Sequence, residues 1–547
     1  LKYAVNHPEN TYIVATESGI LHEMQKKCPQ TTFIPAPPND RSTYILFNEQ
    51  LGIYCSDVFV YLLNGLYFNG INIDSTSTIW LSPVICYLTS ILFKLGISGE
   101  ISIYIVTGVF AIVGNIGLYF LFRFRFNQLL SILGSLCYSS FSLYLLWLAN
   151  GSLDIPVVSL TILVVFFWIL AIDNNPKYYL IVAILIVLGI FTRYTIVLVL
   201  PALMLYFIYK KKTSILHKKF FISKEFRYLL ISMLVACLLA VLILNPIVDL
   251  SENHLGFVSQ GQSVVGGDKG STIDSAYTED YLFYIHDFPN YLSSFSIEFD
   301  DKTSILKEPT IIAGFFIALL IGGLLFFIKD NKFDKKYLLI TVFLFAFSLI
   351  IINLNIIFAM LLLFIAMLSC RKIFKLSKNH DFALMMFAWL LFNLVFYSYY
   401  NIKVNRYVIP VLPVVSFFIV ISLNEIYSKF RFNNKIVSVI LILIFVVSSF
   451  SFIMAFDDTD EFKAPEEVSN FLMDYDDDYE NKTIGVYNIR PFTWYFKEPI
   501  LGIVANETEL IDSSELDYYI SNIKQDNLTN FTEIKNIDNL YVYERIM

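Results

Sequence analysis

The chain has 547 residues, of which 56% are hydrophobic, 17% are aromatic and only 16% are charged. A soluble domain carries about 25% charged residues, so this composition excludes an ordinary soluble protein and indicates an integral membrane protein. Residues 456–547 contain 21 Asp and Glu against 7 Lys and Arg, although the whole chain has a formal net charge of only −8. We therefore predict an acidic globular domain attached to a basic membrane body.

Residues 1–40 contain a helix-like "GILHEMQKKCP" between two extended runs. The phrases "YIVATESGILHEM" and "FIPAPPND" resemble the C-terminal region of quinolinate synthase, the iron–sulfur enzyme of NAD biosynthesis. In that family a cluster-ligating cysteine soon follows "PPND", whereas "RSTY" follows here, and Cys28 does not stand at a ligand position. Because cysteine thiolates hold such clusters, we expect no iron–sulfur cluster.

Residues 41–101 are predicted to form an outer loop with interfacial helices. Asp57 leads the apolar run "VFVYLLNGLYF", and a second apolar run at 78–96 contains Pro83. The Asp57 carboxylate has two interpretations. It could be a general base that takes a proton from an acceptor hydroxyl, or the N-cap of the helix that follows.

Residues 102–456 are predicted to form a transmembrane bundle, because a spanning helix needs roughly 20 apolar residues. Twelve candidate spans lie near 102–122, 129–148, 155–172, 178–191, 193–209, 228–246, 309–328, 337–353, 355–370, 383–400, 407–425 and 436–456.

Positive charge is concentrated in alternate loops of this bundle. One set of loops contains 21 Lys and Arg, and the other set contains six. Because cytoplasmic loops carry the excess of Lys and Arg, we expect the long loop 247–308 and the acidic domain 457–547 to lie outside the cytoplasm. The same count places Asp154, Arg193 and Arg406 on the outer face. Asp57 joins them if 78–96 lies along the interface.

Two aspartates and two arginines are therefore expected at the outer end of the bundle. A guanidinium there is suited to bidentate phosphate binding, and a carboxylate opposite it could activate a nucleophile. This combination is typical of sugar transfer from a lipid-linked phosphate, where cations offset the charge that builds on the leaving group. Alternatives stay open: Asp154 could cap the next span, and Arg193 and Arg406 could snorkel to headgroups.

The loop 247–308 and the cysteines give no metal site. "YIHDFPNYL", with His286 and Asp287, is interpreted as a local hydrogen-bonded pair, and "GQSVVGGDKG" as a flexible loop. The six cysteines are scattered without a CxxC spacing, which indicates neither a disulfide framework nor a zinc site. We assign no metal ligand, leave a divalent cation requirement open, and expect no nucleic-acid partner.

Residues 457–547 are predicted to form a small α/β domain. "APEEVSNFLMDYD" is helix-like, and "KTIGVYN", "ILGIVAN", "LDYYIS" and "NLYVYERI" are strand-like. The sequons at Asn481, Asn506, Asn527 and Asn530 are compatible with an outer location. We expect the domain to position an acceptor or to cover the bundle.

From about Gly52 to its end the chain resembles the polytopic GT-C-type, lipid-phosphate-dependent glycosyltransferases. This group includes dolichyl-phosphate-mannose protein mannosyltransferases and aminoarabinose transferases, here in a version typical of archaea. The matching segments are "YCSDVFVYLLNGLYFNG", "LSPVICYLTSILFKLG", "NGSLDIPVVSL", "GIFTRYTIVLVLP" and "KVNRYVIPVLP". The resemblance implies an α-helical polytopic membrane protein and inverting transfer on the outer face. It implies a polyprenyl-phosphate sugar donor, a protein, lipid or glycan acceptor, and contact with membrane lipids.

The resemblance also implies roles for individual residues. Asp57 is the candidate base, and Arg193 and Arg406 are expected near the donor phosphate. Asp154, Tyr194 and Tyr407 complete the candidate substrate-binding set. Many relatives have two adjacent acids in the first loop, whereas here Asp57 is followed by Val58.

Transferases of this kind begin with a cytoplasm-to-outside helix before the acidic loop, and no run between Leu1 and Asp57 is long and apolar enough. We hypothesise that residues 1–40 replace that helix through a gene fusion or a misjoined reading, and that a chain without it is inactive. An inactive quinolinate synthase fragment is therefore one alternative interpretation. A transporter of a lipid-linked saccharide is another, but it predicts midplane charges and internal repeats, and neither was found.

Overall fold

The fold is given by a computed structural model of the 547-residue chain. It describes residues 11–14, 32–35, 57–71, 83–97, 99–215, 218–248, 280–294, 297–300, 303–306, 308–329, 335–352, 354–373, 380–400, 403–429, 434–455, 463–498, 500–502, 511–512 and 514–546. The chain divides into two units. One, called the membrane unit, comprises Glu49–Ile73 and Ser77–Asp460; the other, called the second unit, comprises Leu1–Asn48, Asp74–Thr76 and Glu461–Met547.

The first two strands belong to the second unit. Strands β1 (Thr11–Val14) and β2 (Thr32–Pro35) pair in parallel, with Thr11 opposite Thr32. They coincide with the two extended runs predicted in the first forty residues. The predicted helix between them lies outside the described residues.

The membrane unit is mostly helical. Its first helices are α1 (Asp57–Phe68), α2 (Pro83–Lys94), α3 (Ile101–Phe122), α4 (Gln128–Ser139), α5 (Ser142–Ala149), α6 (Asp154–Asp173), α7 (Tyr178–Ile190), α8 (Leu200–Ile215) and α9 (Lys224–Val248). After these come α10 (Phe283–His286), α11 (Phe288–Leu292), the antiparallel hairpin β3 (Ile297–Asp300) and β4 (Thr303–Leu306), α12 (Ile311–Lys329), α13 (Lys335–Ile351), α14 (Ile356–Ile373), α15 (His380–Tyr399), α16 (Leu412–Lys429) and α17 (Asn434–Ala455). Short 3₁₀ helices lie at Tyr194–Val199, Lys218–Ile222 and Asn405–Val411.

Several of these helices can cross a membrane. Within the described residues, seven are long and apolar enough, and the bent pair α4 and α5 counts as an eighth. Six shorter apolar helices, α1, α2, α7, α12, α13 and α14, accompany them. The chain is a multi-pass helical membrane protein, as predicted, while the count of twelve spans stays a prediction.

The predicted span 129–148 is two helices, α4 and α5, that meet at 59°. The break falls at Ser140 and Phe141. The Ser140 hydroxyl donates to the Cys137 carbonyl at 2.8 Å. Serine hydroxyls that compete for helix carbonyls are a recognised cause of kinks, so the sequence contains a local reason for this bend.

Small residues let the main helices approach closely. At Gly114 on α3, an added Cβ would overlap the Ser159 side chain on α6. At Gly323 on α12, it would overlap the backbone carbonyl of Phe418 on α16. Inside a membrane, helix association depends on such close van der Waals packing, because lipid tails are as apolar as leucine.

Helices α1 and α2 pack against each other and against the bundle. Gly65 on α1 faces the ring of Phe93 on α2. The backbone N–H of Val84, at the start of α2, donates to the Phe191 carbonyl at 3.4 Å. Phe191 lies two residues before Arg193, so this hairpin is attached to the end of the bundle that holds Arg193.

The remaining part of the second unit is a small α/β domain. Its elements are α18 (Lys463–Tyr475), β5 (Ile484–Val486), α19 (Ile489–Phe496), β6 (Leu501–Gly502), β7 (Tyr518–Ser521), β8 (Phe531–Ile537) and β9 (Leu540–Arg545). The five strands form one sheet in the order β6-β5-β7-β9-β8. The predicted helix and four predicted strands coincide with α18, β5, β6, β7 and β9. Helix α19 and edge strand β8 were not predicted.

The close contact at Gly323 leads to a prediction about stability. Gly323→Ala should destabilise the membrane unit by about 1–3 kcal/mol, because the methyl group has to push α12 away from the Phe418 backbone. Gly314→Ala is the matched control, since the same helix has open space at that position. The thermal midpoint of each purified variant in detergent measures the effect. Equal midpoints for the two variants would contradict the packing described here.

Candidate functional site

Asp154 is the centre of the candidate site. It is the first residue of α6, and its side chain is 2% exposed. Gly151, with φ of +60°, turns the chain between α5 and α6. Ser152 Oγ then donates to Asp154 Oδ2 at 2.9 Å and accepts from the Asp154 backbone N–H at 3.2 Å. This turn and the positive end of the α6 dipole stabilise a carboxylate at this place.

Two arginines distant in the sequence meet this carboxylate. Arg193 Nη1 lies 2.5 Å from Asp154 Oδ2, and Arg406 Nε lies 3.9 Å from the same oxygen. Each arginine side chain is 14% exposed. Breaking a buried ion pair by removing one partner leaves an uncompensated charge, so these three residues depend on one another.

The two arginines stand in similar local structures. Arg193 and Arg406 are each followed by tyrosine, then by the rest of a 3₁₀ helix, and then by Leu-Pro at the start of a long helix. Proline is favoured in the first turn of a helix, where its missing N–H is not needed. The shared pattern "RYTIVLVLP" and "RYVIPVLP" is a sequence signal of equivalent positions that sequence reasoning overlooked.

Aromatic rings surround Arg193. Its Cζ lies 5.7 Å from the centroid of the Tyr407 ring. Tyr397 stacks on Tyr407 with centroids 4.7 Å apart and an interplanar angle of 15°. Tyr194 is in electrostatic contact with Arg193, Asp154 and Tyr407. Cation–π contacts of this kind are strongest where water is excluded, as in this site.

Arg406 lies against a different ring. Its Cζ is 5.4 Å from the centroid of Trp147, a residue of α5. Trp147 Nε1 donates to Asn405 Oδ1 at 3.0 Å. This hydrogen bond connects the 3₁₀ helix that carries Arg406 to the short helix α5, which stands beside it only because α4 and α5 are bent.

Helix α1 reaches the same place. Tyr61 on α1 is buried and is close enough to Arg193 to interact with it electrostatically. Asp57 is the first residue of α1, one turn before Tyr61. The Asp57 side chain lies outside the described residues, so its role as a base stays a prediction.

The structure thus brings together Asp154, Arg193, Tyr194, Arg406 and Tyr407, and leaves Asp57 at the start of a helix that reaches them. It adds Trp147 and Tyr397, which sequence reasoning missed. Aromatic residues make up 17% of the chain, so no local signal distinguishes these two from the others.

The described part of the loop 247–308 includes α10, α11 and the hairpin of β3 and β4. His286 Nδ1 lies 3.3 Å from Asp280 Oδ2, so its partner is Asp280 and not the neighbouring Asp287. Burial raises the pKa of Asp287, and the nearby His286 opposes that shift. No group of three or more His, Cys, Asp and Glu residues placed to hold a metal ion occurs among the described residues. The segment "GQSVVGGDKG" lies outside them.

Comparisons with known proteins bear on this arrangement. Residues 81–244 match the family model described as dolichyl-phosphate-mannose-protein mannosyltransferase. The apo crystal structure of ArnT from Cupriavidus metallidurans superposes with a TM-score of 0.54 at 10% sequence identity, covering 92% of this chain and 95% of that one. The chain therefore shares its overall fold with this ArnT. The structure of the same ArnT bound to undecaprenyl phosphate gives a TM-score of 0.50 at 11% identity, covering 92% and 96%.

The predicted resemblance to GT-C proteins is therefore confirmed at the level of the fold. The family match contains Asp154, Arg193 and Tyr194, whereas Asp57, Arg406 and Tyr407 lie outside its limits.

A second, short match is to an unrelated protein family. The quinolinate synthase of Synechococcus sp. is 55% identical over 40 residues, which is 7% of this chain. The chain spans only 12% of the length of that enzyme. The match is as long as the segment 1–40 in which the resemblance was predicted.

The contacts of both arginines with Asp154 lead to a prediction about stability. Asp154→Asn should destabilise the membrane unit by about 3–5 kcal/mol, because it removes the buried carboxylate that both guanidiniums contact. Asp173→Asn is the control on the same helix: that carboxylate is 36% exposed and lies 3.7 Å from Lys210, and an asparagine there can still accept the hydrogen bond from Tyr206. Its loss should change stability by roughly 1 kcal/mol or less. Thermal unfolding in detergent compares them, and similar midpoints would disprove the central role of Asp154.

Proposed function

We propose that this chain is a membrane glycosyltransferase that moves a sugar from a polyprenyl-phosphate donor to an acceptor on the outer face. The observation that carries the proposal is the pair of partly buried guanidiniums, Arg193 and Arg406, that both contact the carboxylate of Asp154 at one end of the bundle. The GT-C fold and the family match over residues 81–244 support the same conclusion.

The arginines are suited to the phosphate of the donor. Asp154 has a contact with one side of each guanidinium, and a guanidinium carries five N–H donors in a planar fork. Two guanidiniums that lie close together can bind one phosphate from two sides. Undecaprenyl phosphate bound to ArnT, which has the same fold, supports a polyprenyl phosphate as that anion. In this proposal Asp154 positions the arginines and does not itself contact the donor.

The proposed reaction is a single displacement. An acceptor oxygen forms a bond to the anomeric carbon of the sugar, while the bond from that carbon to the phosphate oxygen breaks. The bonding electron pair leaves with the phosphate, where Arg193 and Arg406 stabilise the growing negative charge. The proton of the acceptor passes to the Asp57 carboxylate, which acts as general base. Attack from the side opposite the phosphate inverts the anomeric centre.

The aromatic rings have a separate part in this proposal. Arg193 lies over the ring of Tyr407 and Arg406 over the ring of Trp147, and each ring keeps water from part of its guanidinium. Electrostatic interactions strengthen as water is removed. The rings thus increase the attraction between the arginines and the donor.

The small α/β domain is proposed to lie outside the cytoplasm and to position the acceptor or cover the bundle. A transporter of lipid-linked saccharides is less well supported. Its charged residues are expected near the bilayer midplane, whereas Asp154 begins α6 and Arg406 stands in the first turn of its span.

Donor binding and turnover separate the proposed roles. Arg406→Gln should weaken the binding of polyprenyl phosphate about 10- to 100-fold, since it removes hydrogen bonds to a charged group worth about 1.5–3 kcal/mol. Asp57→Asn should bind polyprenyl phosphate like the unaltered chain and should lower turnover at least about 100-fold, as expected for loss of a general base. Binding is measured directly on purified protein, and turnover is measured in membranes with a panel of polyprenyl-phosphate sugars.

Two control variants accompany this experiment. Arg123→Gln removes an exposed arginine in a loop predicted to be cytoplasmic, and Glu308→Gln removes an exposed acid. Both should behave like the unaltered chain. If the unaltered chain does not bind polyprenyl phosphate, the glycosyltransferase proposal is wrong; full turnover by Asp57→Asn would remove only Asp57 from the mechanism.

The proposed location of the α/β domain is tested by labelling. In a chain without its native cysteines, Lys524→Cys in the α/β domain should react with a membrane-impermeant maleimide in intact cells. Lys429→Cys, at the end of α16, should react only after the membrane is opened. Both lysines are at least half exposed, at 56% and 50%, so access to the two sides is the main difference. The reverse pattern would place the acidic domain in the cytoplasm.

A further inference from the structure

Lys403 is a buried cation close to the candidate site, and the proposed reaction gives it no role. It lies between α15 and the 3₁₀ helix that carries Arg406, and it is 6% exposed. Its Nζ donates to three backbone carbonyls, those of Tyr397 at 2.9 Å, Ser398 at 2.6 Å and Tyr400 at 2.6 Å. The last carbonyls of a helix lack partners within the helix, so this ammonium caps the end of α15.

The capped carbonyls belong to residues that reach the site. The Tyr397 ring stacks on Tyr407, and the Tyr400 ring lies 6.1 Å from Tyr407, centroid to centroid. Tyr407 in turn lies under Arg193. A continuous set of contacts therefore leads from the Lys403 ammonium to one of the two guanidiniums.

Lys403 also contacts the outer loop. Its Nζ lies 5.8 Å from the centroid of Tyr284, a buried residue of α10. Burial lowers the pKa of Lys403 to about 8, and the Asp280 carboxylate opposes that shift. Both observations place the amine in a position with little water, where its hydrogen bonds to carbonyls determine the local geometry.

We infer that Lys403 is a positioning residue for the donor site: by holding the end of α15, it sets the Tyr397–Tyr407 stack under Arg193 and the start of the 3₁₀ helix that presents Arg406. The inference rests on the proposed function in so far as the positioned ligand is a polyprenyl phosphate. Lys403 sets the positions of the Tyr397–Tyr407 stack and of the 3₁₀ helix whichever ligand the site binds. Because Arg193 and Arg406 are proposed both to bind the donor phosphate and to stabilise the charge that grows on it, their displacement should affect binding and the chemical step.

Trp147 reports on this geometry without any substrate. Its Nε1 donates to Asn405, two residues after Lys403. The chain contains five tryptophans, and the emission of Trp147 is obtained as the difference between proteins with and without Trp147→Phe. Lys403→Met should shift this emission to longer wavelength, because the 3₁₀ helix is released and water enters. Lys403→Arg, which keeps a cation with several donors, should restore it.

Binding and kinetics complete the test. Lys403→Met should raise the Kd for polyprenyl phosphate, and the KM for the donor, about tenfold. The kcat should fall as well, about tenfold, because the displaced arginines stabilise the leaving phosphate less well, and Lys403→Arg should recover most of both. Lys524→Met, at an exposed lysine of the α/β domain, is the control and should change nothing.

Unchanged Trp147 emission in Lys403→Met would overturn the inference. So would a loss of folded protein in both Lys403 variants with unaltered Trp147 emission and Kd in the remainder, which is the result of a purely structural role. If the unaltered chain binds no polyprenyl phosphate, the proposed function fails, and the Trp147 emission still decides whether Lys403 sets the geometry.

Discussion

The site depends on one electrostatic constraint: the buried carboxylate of Asp154 contacts the two partly buried guanidiniums of Arg193 and Arg406. None of the three groups can be buried at low free energy alone, because each would lose its hydration without compensation. Asp154 therefore fixes the relative positions of the segments that begin α6, α8 and α16. The ends of three long helices, separated by up to 252 positions in the sequence, are brought to one place by this interaction.

The surrounding structure serves the same arrangement. The bend between α4 and α5 places Trp147 beside Arg406, and the turn at Gly151 places Asp154 at the start of its helix. The α1–α2 hairpin is attached through Val84 and Phe191, next to Arg193. Glycines on α3 and α12 allow the backbone approach on which the positions of α6 and α16 depend. A site of this kind needs rigid support, because small displacements of charged groups have large effects on binding and rate.

Much of this could be predicted from particular residues. Apolar runs predicted the helices of the bundle, because only helices satisfy their own backbone hydrogen bonds in lipid. The alternation of Lys and Arg between loops predicted that Asp154, Arg193 and Arg406 share one face, and the structure has the three in contact. Helix α19 and strand β8 were missed. Strand β8 is an edge strand with most of its residues at least partly exposed, so it lacks the apolar alternation by which strands are predicted.

Local composition and spacing were enough to predict the membrane class and the helical periods, and the quoted motifs were enough for the family resemblance and the residue types of the site. It did not determine that Asp154 is the partner of both arginines, that Trp147 and Tyr397 line the site, or that Lys403 caps α15. Those contacts join residues on different helices, and only the packing of those helices decides which side chains meet. The tertiary structure alone therefore decided how the charges are paired.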